Sequence, residues 1–450
     1  MEQQPRLPLW FLVANWVLVV AAFVAGVLVG KRHIADLPDP QATALELVYN
    51  KVLQEHVEPQ DGHRLLDAAI EGMLDGLDEY SHYVPPDEVA RYDETSTGRY
   101  AGVGMVMHPD ARGAVVCYPF PGGGAERAGL RPGDLIVAVD GTTIVGTSLD
   151  KVAEMVRGEP DTEVRLTVQR DEAPRDVVVR RGDVQKRSVK WAQWLDAEHG
   201  LGYLYVSDFH GGAAGQMQQA IASLQAQRPL RGLIVDLRFN PGGSLDECVA
   251  MARLFVASGT IVSQRRRGEL LEKYEASPDQ CKWPDLPLVL LLNGDSASAS
   301  EVFAGCLQDH QRATIVGERS YGKGCVNTIY SYRDFRLKLT TGYYYTPNGR
   351  NVNRTHRRDP HAGSPINGAA AKPPDDGGIA PDVAVPLPRD REVAVAQLLV
   401  QRQEPPEAWR EAFLAAAAKW QIPVPQPLQP ADDAQLAQAL ATLTMAATGK

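Results

Sequence analysis

Ser298 and Lys323 stand 25 residues apart in the stretch Leu286–Val326, LPLVLLLNGDSASASEVFAGCLQDHQRATIVGERSYGKGCV. A serine hydroxyl attacks a carbonyl only once a base takes its proton. The small-residue turn Asp295–Ala299 puts Ser298 at a helix start, where backbone N–H groups are unpaired and the helix dipole is positive. The amide of Ala299 would then form part of an oxyanion site. His310 is the nearest histidine in sequence, but twelve residues of helix carry it roughly 18 Å away. Lys323 returns on the next strand–loop unit, and Ser-Lys pairs are a known variant of the serine triad. To accept a proton this lysine must be neutral, so it is expected to be desolvated. Ser298-x-x-Glu301 equally describes a capping box, an ordinary way to begin a helix.

The elements that would position these groups can be read around them. The run Leu288–Leu292, bounded by Pro287 and Asn293-Gly294, has the length of a buried strand. Val302, Phe303, Cys306 and Leu307 recur at helical spacing. A second strand, Ala313–Val316, leads into the glycine-rich loop. Upstream, Leu204–Ser207 reads as a strand and Ala213–Leu224 as a helix. The strand Gly232–Leu237 then runs into Arg238-Phe-Asn-Pro-Gly-Gly243, and the helix Leu245–Phe255 follows. Such alternation predicts an α/β layer with mostly parallel strands.

Residues 100–183 differ in character. Val103–His108, Ala114–Tyr118, Leu135–Val139, Glu163–Val168 and Asp176–Arg180 read as short strands between glycine turns, with a helix at Leu149–Val156. GAERAGLRPGDLIVAVDG is similar to the PDZ signature. PDZ domains bind a C-terminal peptide as an added strand, and Gly102, Val103, Gly104 and Met105 match the loop that holds its carboxylate, glycine permitting close backbone approach.

Together, SASASE, the GKG lysine and DLRFNPGG resemble the C-terminal processing (tail-specific) serine proteases. The resemblance covers most of Gln41–Leu387. It implies an α/β core of crotonase/ClpP-like ββα layers with an inserted PDZ domain. It also implies that Ser298 is the nucleophile and Lys323 the general base, and that Gly242 or Gly243 donates the second oxyanion N–H. A glutamine four residues after the lysine normally orients it; Asn327 stands there, one methylene shorter. Arg170 resembles the arginine that couples PDZ docking to the active site in some relatives, although a surface arginine is the plainer reading. The substrates implied are unfolded or flexible protein C-termini.

The chain has 450 residues, 44% of them hydrophobic, and a net charge of −10, which argues against a nucleic-acid partner. Five scattered cysteines form no CxxC pair, and ten histidines form no metal-binding group, so neither metal nor cofactor is expected. Leu7–Gly30 carries no charge. As a helix it would span about 36 Å, enough for one membrane anchor. Arg6 on one flank and Lys31-Arg32 on the other lean slightly against an exported domain. The resemblance implies export: a single-pass protein of the inner (cytoplasmic) membrane with its protease on the periplasmic or extracellular side.

The expected organisation is an anchor at 1–34, a helical region at 35–98, the PDZ domain at 99–185, the protease core at 186–390 and a helical extension at 391–450. Within it, Leu45, Val48, Tyr49 and Val52, then Leu65, Ala69, Met73 and Leu77, keep helical spacing. Asn351–Asp376 reads as a surface loop, and Ala412–Trp420 and Ala434–Ala446 as packing helices. A homo-oligomer or an activator protein is an open expectation. The reading from another class is a catalytically inactive, membrane-anchored PDZ scaffold that binds C-terminal peptides, and Asn327 is the feature favouring it.

Overall fold

The apolar runs around Ser298 lie side by side in one six-stranded sheet. Its order is Val189–Asp196, Leu201–Val206, Gly232–Asp236, Leu288–Leu292, Ala313–Gly317 and Val383–Ala384. The first pair is antiparallel and the others are parallel. Parallel strands are covered on both faces, which explains why they read as continuous apolar runs. Alternate residues serve opposite layers. Leu233, Val235, Leu288, Leu290 and Leu292 meet the helices Ala213–Gln227, Leu245–Arg253 and Ala299–Asp309. Ile234, Val289 and Leu291 meet Val395 and Leu399 of the helix Arg389–Gln401, and Leu436, Ala439 and Leu443 of the helix Ala434–Thr448.

The computed structural model describes residues 40–170, 173–354, 377–401, 404–426 and 428–448. The expected anchor at Leu7–Gly30 and most of the Asn351–Asp376 loop lie outside them. Among the described residues no helix is long and apolar enough to cross a membrane. Two units are distinguished, one ending at Leu77 and one from Asp78 onward. The first holds the helices Pro40–Glu55 and Gly62–Asp75, the latter capped by the Asp61 carboxylate.

In the second unit, a five-stranded antiparallel sheet carries the segment that follows Lys323. The long strand Arg336–Tyr345 pairs with Cys325–Ser331 on one side, and with His82–Val84 and Thr260–Arg266 on the other. The PDZ region is an antiparallel sheet of Met105–Asp110, Gly113–Pro119, Leu135–Val139, Glu163–Gln169 and Pro174–Arg180, with the helix Leu149–Val156. Chain entry and exit pair as Arg99–Gly102 with Gly182–Gln185. Its first strand starts two residues later than periodicity suggests, because Gly104 takes φ +72° and turns the chain before Met105.

Candidate active site

Two neighbouring parallel strands, Gly232–Asp236 and Leu288–Leu292, end at the same edge of the sheet and open into two turns. Crevices beyond the carboxyl ends of parallel strands are where such sheets bind ligands. The turns are stitched together. Ala297 N–H and Ser300 Oγ–H both donate to the carbonyl of Asn240, at 3.0 and 2.9 Å. Phe239 N–H donates to Asn293 Oδ1 and Ser296 Oγ to the Leu237 carbonyl, each at 2.9 Å. Asn240, Ser296 and Ser300 are fully buried.

This stitching holds Ser298 at φ 56°, ψ −115°, a conformation L-residues rarely adopt. Such strain costs about 1–3 kcal/mol and persists only where the surroundings enforce it. Ser298 is partly exposed at the N-cap of the helix Ala299–Asp309. Beside it, the Ala299 N–H donates no hydrogen bond among the described residues, as expected at a first helical position. The two glycines differ. The Gly242 N–H donates to Asn240 Oδ1 at 2.9 Å, whereas the Gly243 N–H has no acceptor among the described residues. Gly242, at φ +100°, lies so close that an added Cβ would meet Ala297 O, Ala299 N and Ser298 Cβ, each at 2.8 Å.

Lys323 reaches the same neighbourhood through Glu301. The fully buried Glu301 carboxylate accepts from Ser298 N–H (2.8 Å), Ser320 Oγ (2.6 Å), Gly322 N–H (2.7 Å) and Lys323 N–H (2.8 Å). Burial pushes this carboxyl upward, and the four hydrogen bonds oppose that shift. The Lys323 side chain is partly exposed. Its Nζ lies 5.0 Å from the centroid of the Tyr80 ring and makes no hydrogen bond to Ser298 among the described residues.

Asn327 lies on the strand after Lys323, with its Nδ2 donating to Thr340 Oγ1 at 3.0 Å, and Cys325 Sγ 3.8 Å from its Oδ1. Thr340 Oγ1 donates onward to Asp78 at 3.1 Å. The Asn327 amide thus meets the neighbouring strand, with no hydrogen bond to Lys323 among the described residues. Cys325 is buried, which lifts its thiol to about 11. Lys338 is lowered to about 8, first by burial and then by the charge of Lys323.

The expected tail-binding residues line one cavity. Gly102, Val103, Gly104 and Met105 wall it together with Tyr100, Met107, Ala153, Val156 and Arg157. Among the described residues, the N–H groups of Val103 and Gly104 donate no hydrogen bond. Arg170 is elsewhere: it grips the buried Asp134 at 2.6 and 2.8 Å and the Gly129 carbonyl at 2.8 Å.

Asn240, Asn293, Ser296, Ser300 and Ser320 escaped the sequence reading. Their bonds join segments tens of residues apart; only their small polar type next to the two turns signals them.

Comparison with known proteins adds a family context. The profile described as "Peptidase family S41" matches residues 200–362, and that of a PDZ domain matches residues 115–170. A probable CtpA-like serine protease of Staphylococcus haemolyticus is 32% identical over 343 residues, 75% of this chain and 68% of that protein. Its namesake in Staphylococcus aureus is 36% identical over 312 residues, 68% of this chain and 62% of that protein. Among solved structures, a photosystem II D1 C-terminal processing protease is 28% identical, covers 77% of this chain and 94% of its own, and has a TM-score of 0.43.

Proposed function

We propose, from the premise that this chain belongs to peptidase family S41 among the CtpA-like serine proteases, that it cleaves proteins near or from their C-termini with a Ser298–Lys323 dyad. The observation that carries this reading is the strained Ser298 turn packed against Gly242, with the N–H groups of Ala299 and Gly243 donating no hydrogen bond among the described residues.

In the proposed reaction, the flexible Lys323 stem swings Nζ from Tyr80 towards Ser298. Neutral Nζ takes the hydroxyl proton while Oγ bonds to the scissile carbonyl carbon. Negative charge gathers on the carbonyl oxygen, which accepts from the N–H groups of Ala299 and Gly243. One such donor is worth roughly 3–4 kcal/mol in the transition state. Gly243 is preferred to Gly242 because the Gly242 N–H already serves Asn240. When the C–N bond breaks, protonated Lys323 supplies the proton to the leaving amine. Water, deprotonated by the same lysine, then attacks the ester and frees Oγ. Asn327 enters as a partner of Thr340 on the neighbouring strand rather than of Nζ.

The substrate's C-terminus is captured in the PDZ cavity, where the Val103 and Gly104 N–H groups suit a carboxylate. The uncharged Leu7–Gly30 supports an anchor and the family resemblance supports an exported protease, checked by protease accessibility in intact and opened cells. A fluorophosphonate probe followed by peptide mass spectrometry tests the chemistry: labelling at Ser298 that vanishes in Lys323→Ala supports it.

The inactive PDZ scaffold is the second reading, favoured by the rest position of Lys323 over Tyr80. Binding of carboxylate-ended peptides with no labelling at Ser298 and no cleavage would select it.

A further inference from the structure

The PDZ cavity contains a cation that the loop motif does not predict. Arg157 follows the helix Leu149–Val156, and it is the one charged side chain among the described residues lining the cavity. It stands against the carboxylate loop: a Cβ built on Gly102 would lie 4.0 Å from Arg157 Cγ. Its guanidinium lies 5.0 Å from the centroid of the Tyr100 ring. It is also paired with a carboxylate, since Glu94 Oε2 lies 3.4 Å from Nη1.

Glu94 belongs to the helix Val89–Thr97, whose left-handed C-cap Gly98 leads into the strand that enters the loop. The preceding residue, Asp93, has a different partner. It accepts from Arg336 at 3.2 and 2.8 Å, at the start of the strand that pairs with Cys325–Ser331. Adjacent carboxylates of one helix therefore tie to the PDZ cavity and to the sheet that follows Lys323.

We infer that Arg157 is the side-chain receptor for a substrate's C-terminal carboxylate, and that Glu94 is an internal carboxylate occupying it until a substrate arrives. This rests on the reading that the cavity takes a protein C-terminus. The occupant is argued from charge complementarity: Arg157 lines a cavity of about 70 Å³ beside Val103 and Gly104, whose N–H groups donate no hydrogen bond among the described residues. Magnitudes favour exchange. The Arg157 and Glu94 side chains are 44% and 36% exposed, so their pair is a weak one. A carboxylate that bonds both guanidinium and backbone N–H groups makes the stronger charge-assisted set. On exchange Glu94 is released, while the Asp93–Arg336 tie remains.

The test uses the full chain carrying Ser298→Ala, to prevent cleavage. A fluorescein-labelled peptide ending in valine is compared, free carboxylate against carboxamide, by anisotropy. Glu94→Gln is expected to tighten the carboxylate peptide by about two- to fivefold and leave the carboxamide unchanged. Arg157→Gln is expected to weaken the carboxylate peptide by roughly tenfold and to erase the effect of Glu94→Gln in the double variant. Equal changes for both peptides, or carboxylate binding indifferent to Arg157→Gln, would overturn the inference while leaving tail capture intact. Failure of both peptides to bind the cavity would overturn both together. Cleavage by the chain with Ser298 restored judges the dyad separately.

Discussion

Glu301 Oε2 accepts the backbone N–H of Lys323 at 2.8 Å, and the same oxygen accepts that of Ser298 at 2.8 Å. One buried carboxylate thus sets the distance between the proposed nucleophile's turn and the proposed base's loop. Glu301→Gln keeps the shape but turns an NH2 group towards N–H donors, leaving buried donors unpaired at about 1–3 kcal/mol. The expected outcome is a lowered Tm and a kcat reduced by more than about tenfold, with KM nearly unchanged. A drop confined to Tm, with kcat intact at a temperature where the variant is folded, would contradict this.

Lys323 Nζ lies over the Tyr80 ring, a contact worth about 0.5–1 kcal/mol at an exposed site, which the proposed swing towards Ser298 would have to break. Tyr80→Leu is therefore expected to raise kcat by about two- to fivefold. A lower kcat would mean that the ring aids the lysine instead.

Gly242 has no room for a side chain and takes φ +100°. Gly242→Ala should displace the turn carrying the Gly243 N–H and lower kcat by about 10²–10³, the worth of one oxyanion donor. Fluorophosphonate labelling and cleavage should fall together.

Lys338 carries a pH dependence. Its folded value, about 8, lies below the ordinary 10.5, burial being the main cause and Lys323 the second. The unfolded chain therefore holds more protons between these values, so stability rises with pH across about 8 to 10.5. Lys338→Met should stabilise the protein by about 1 kcal/mol near neutrality, after allowance for solvent screening, and flatten that rise. Thermal melts of both proteins across this range provide the check.

The Arg238 guanidinium is wholly buried between Asp236 at 2.6 Å and Asp433 at 2.8 Å, the latter just before the helix Ala434–Thr448. In DLRFNPGG, the Asp-Arg pair thus ties the C-terminal extension to the strand that leads into the proposed oxyanion turn. Arg238→Met would leave two buried carboxylates uncompensated and cost about 3–5 kcal/mol, read as a fall in Tm.

The core strands were legible because strands buried on both faces are written as unbroken apolar runs. The helix Leu149–Val156 stands where the sequence reading puts it, and Ser148 caps it by accepting the Lys151 N–H. Other features depended on distant partners. Glu301 read as a helix cap, and that role is half of what it does; its bonds to Ser320, Gly322 and Lys323 close only when the chain returns. Nothing in the sequence distinguishes the N–H of Gly242 from that of Gly243, because the Asn240 amide decides it. Lys323 was expected to be desolvated and is instead partly exposed beside Tyr80. The Arg389–Gln401 helix escaped notice behind its polar opening RDRE, although Val395 and Leu399 fill the core.

The central claim is the Ser298–Lys323 dyad. Its most direct test is cleavage of an unfolded protein with an apolar C-terminal tail by the full chain, beside Ser298→Ala and Lys323→Ala. Cleavage by the unaltered chain is expected, and its loss in both variants, with tail binding retained. Cleavage that survives either substitution, or tail binding without cleavage by the unaltered chain, would contradict that claim.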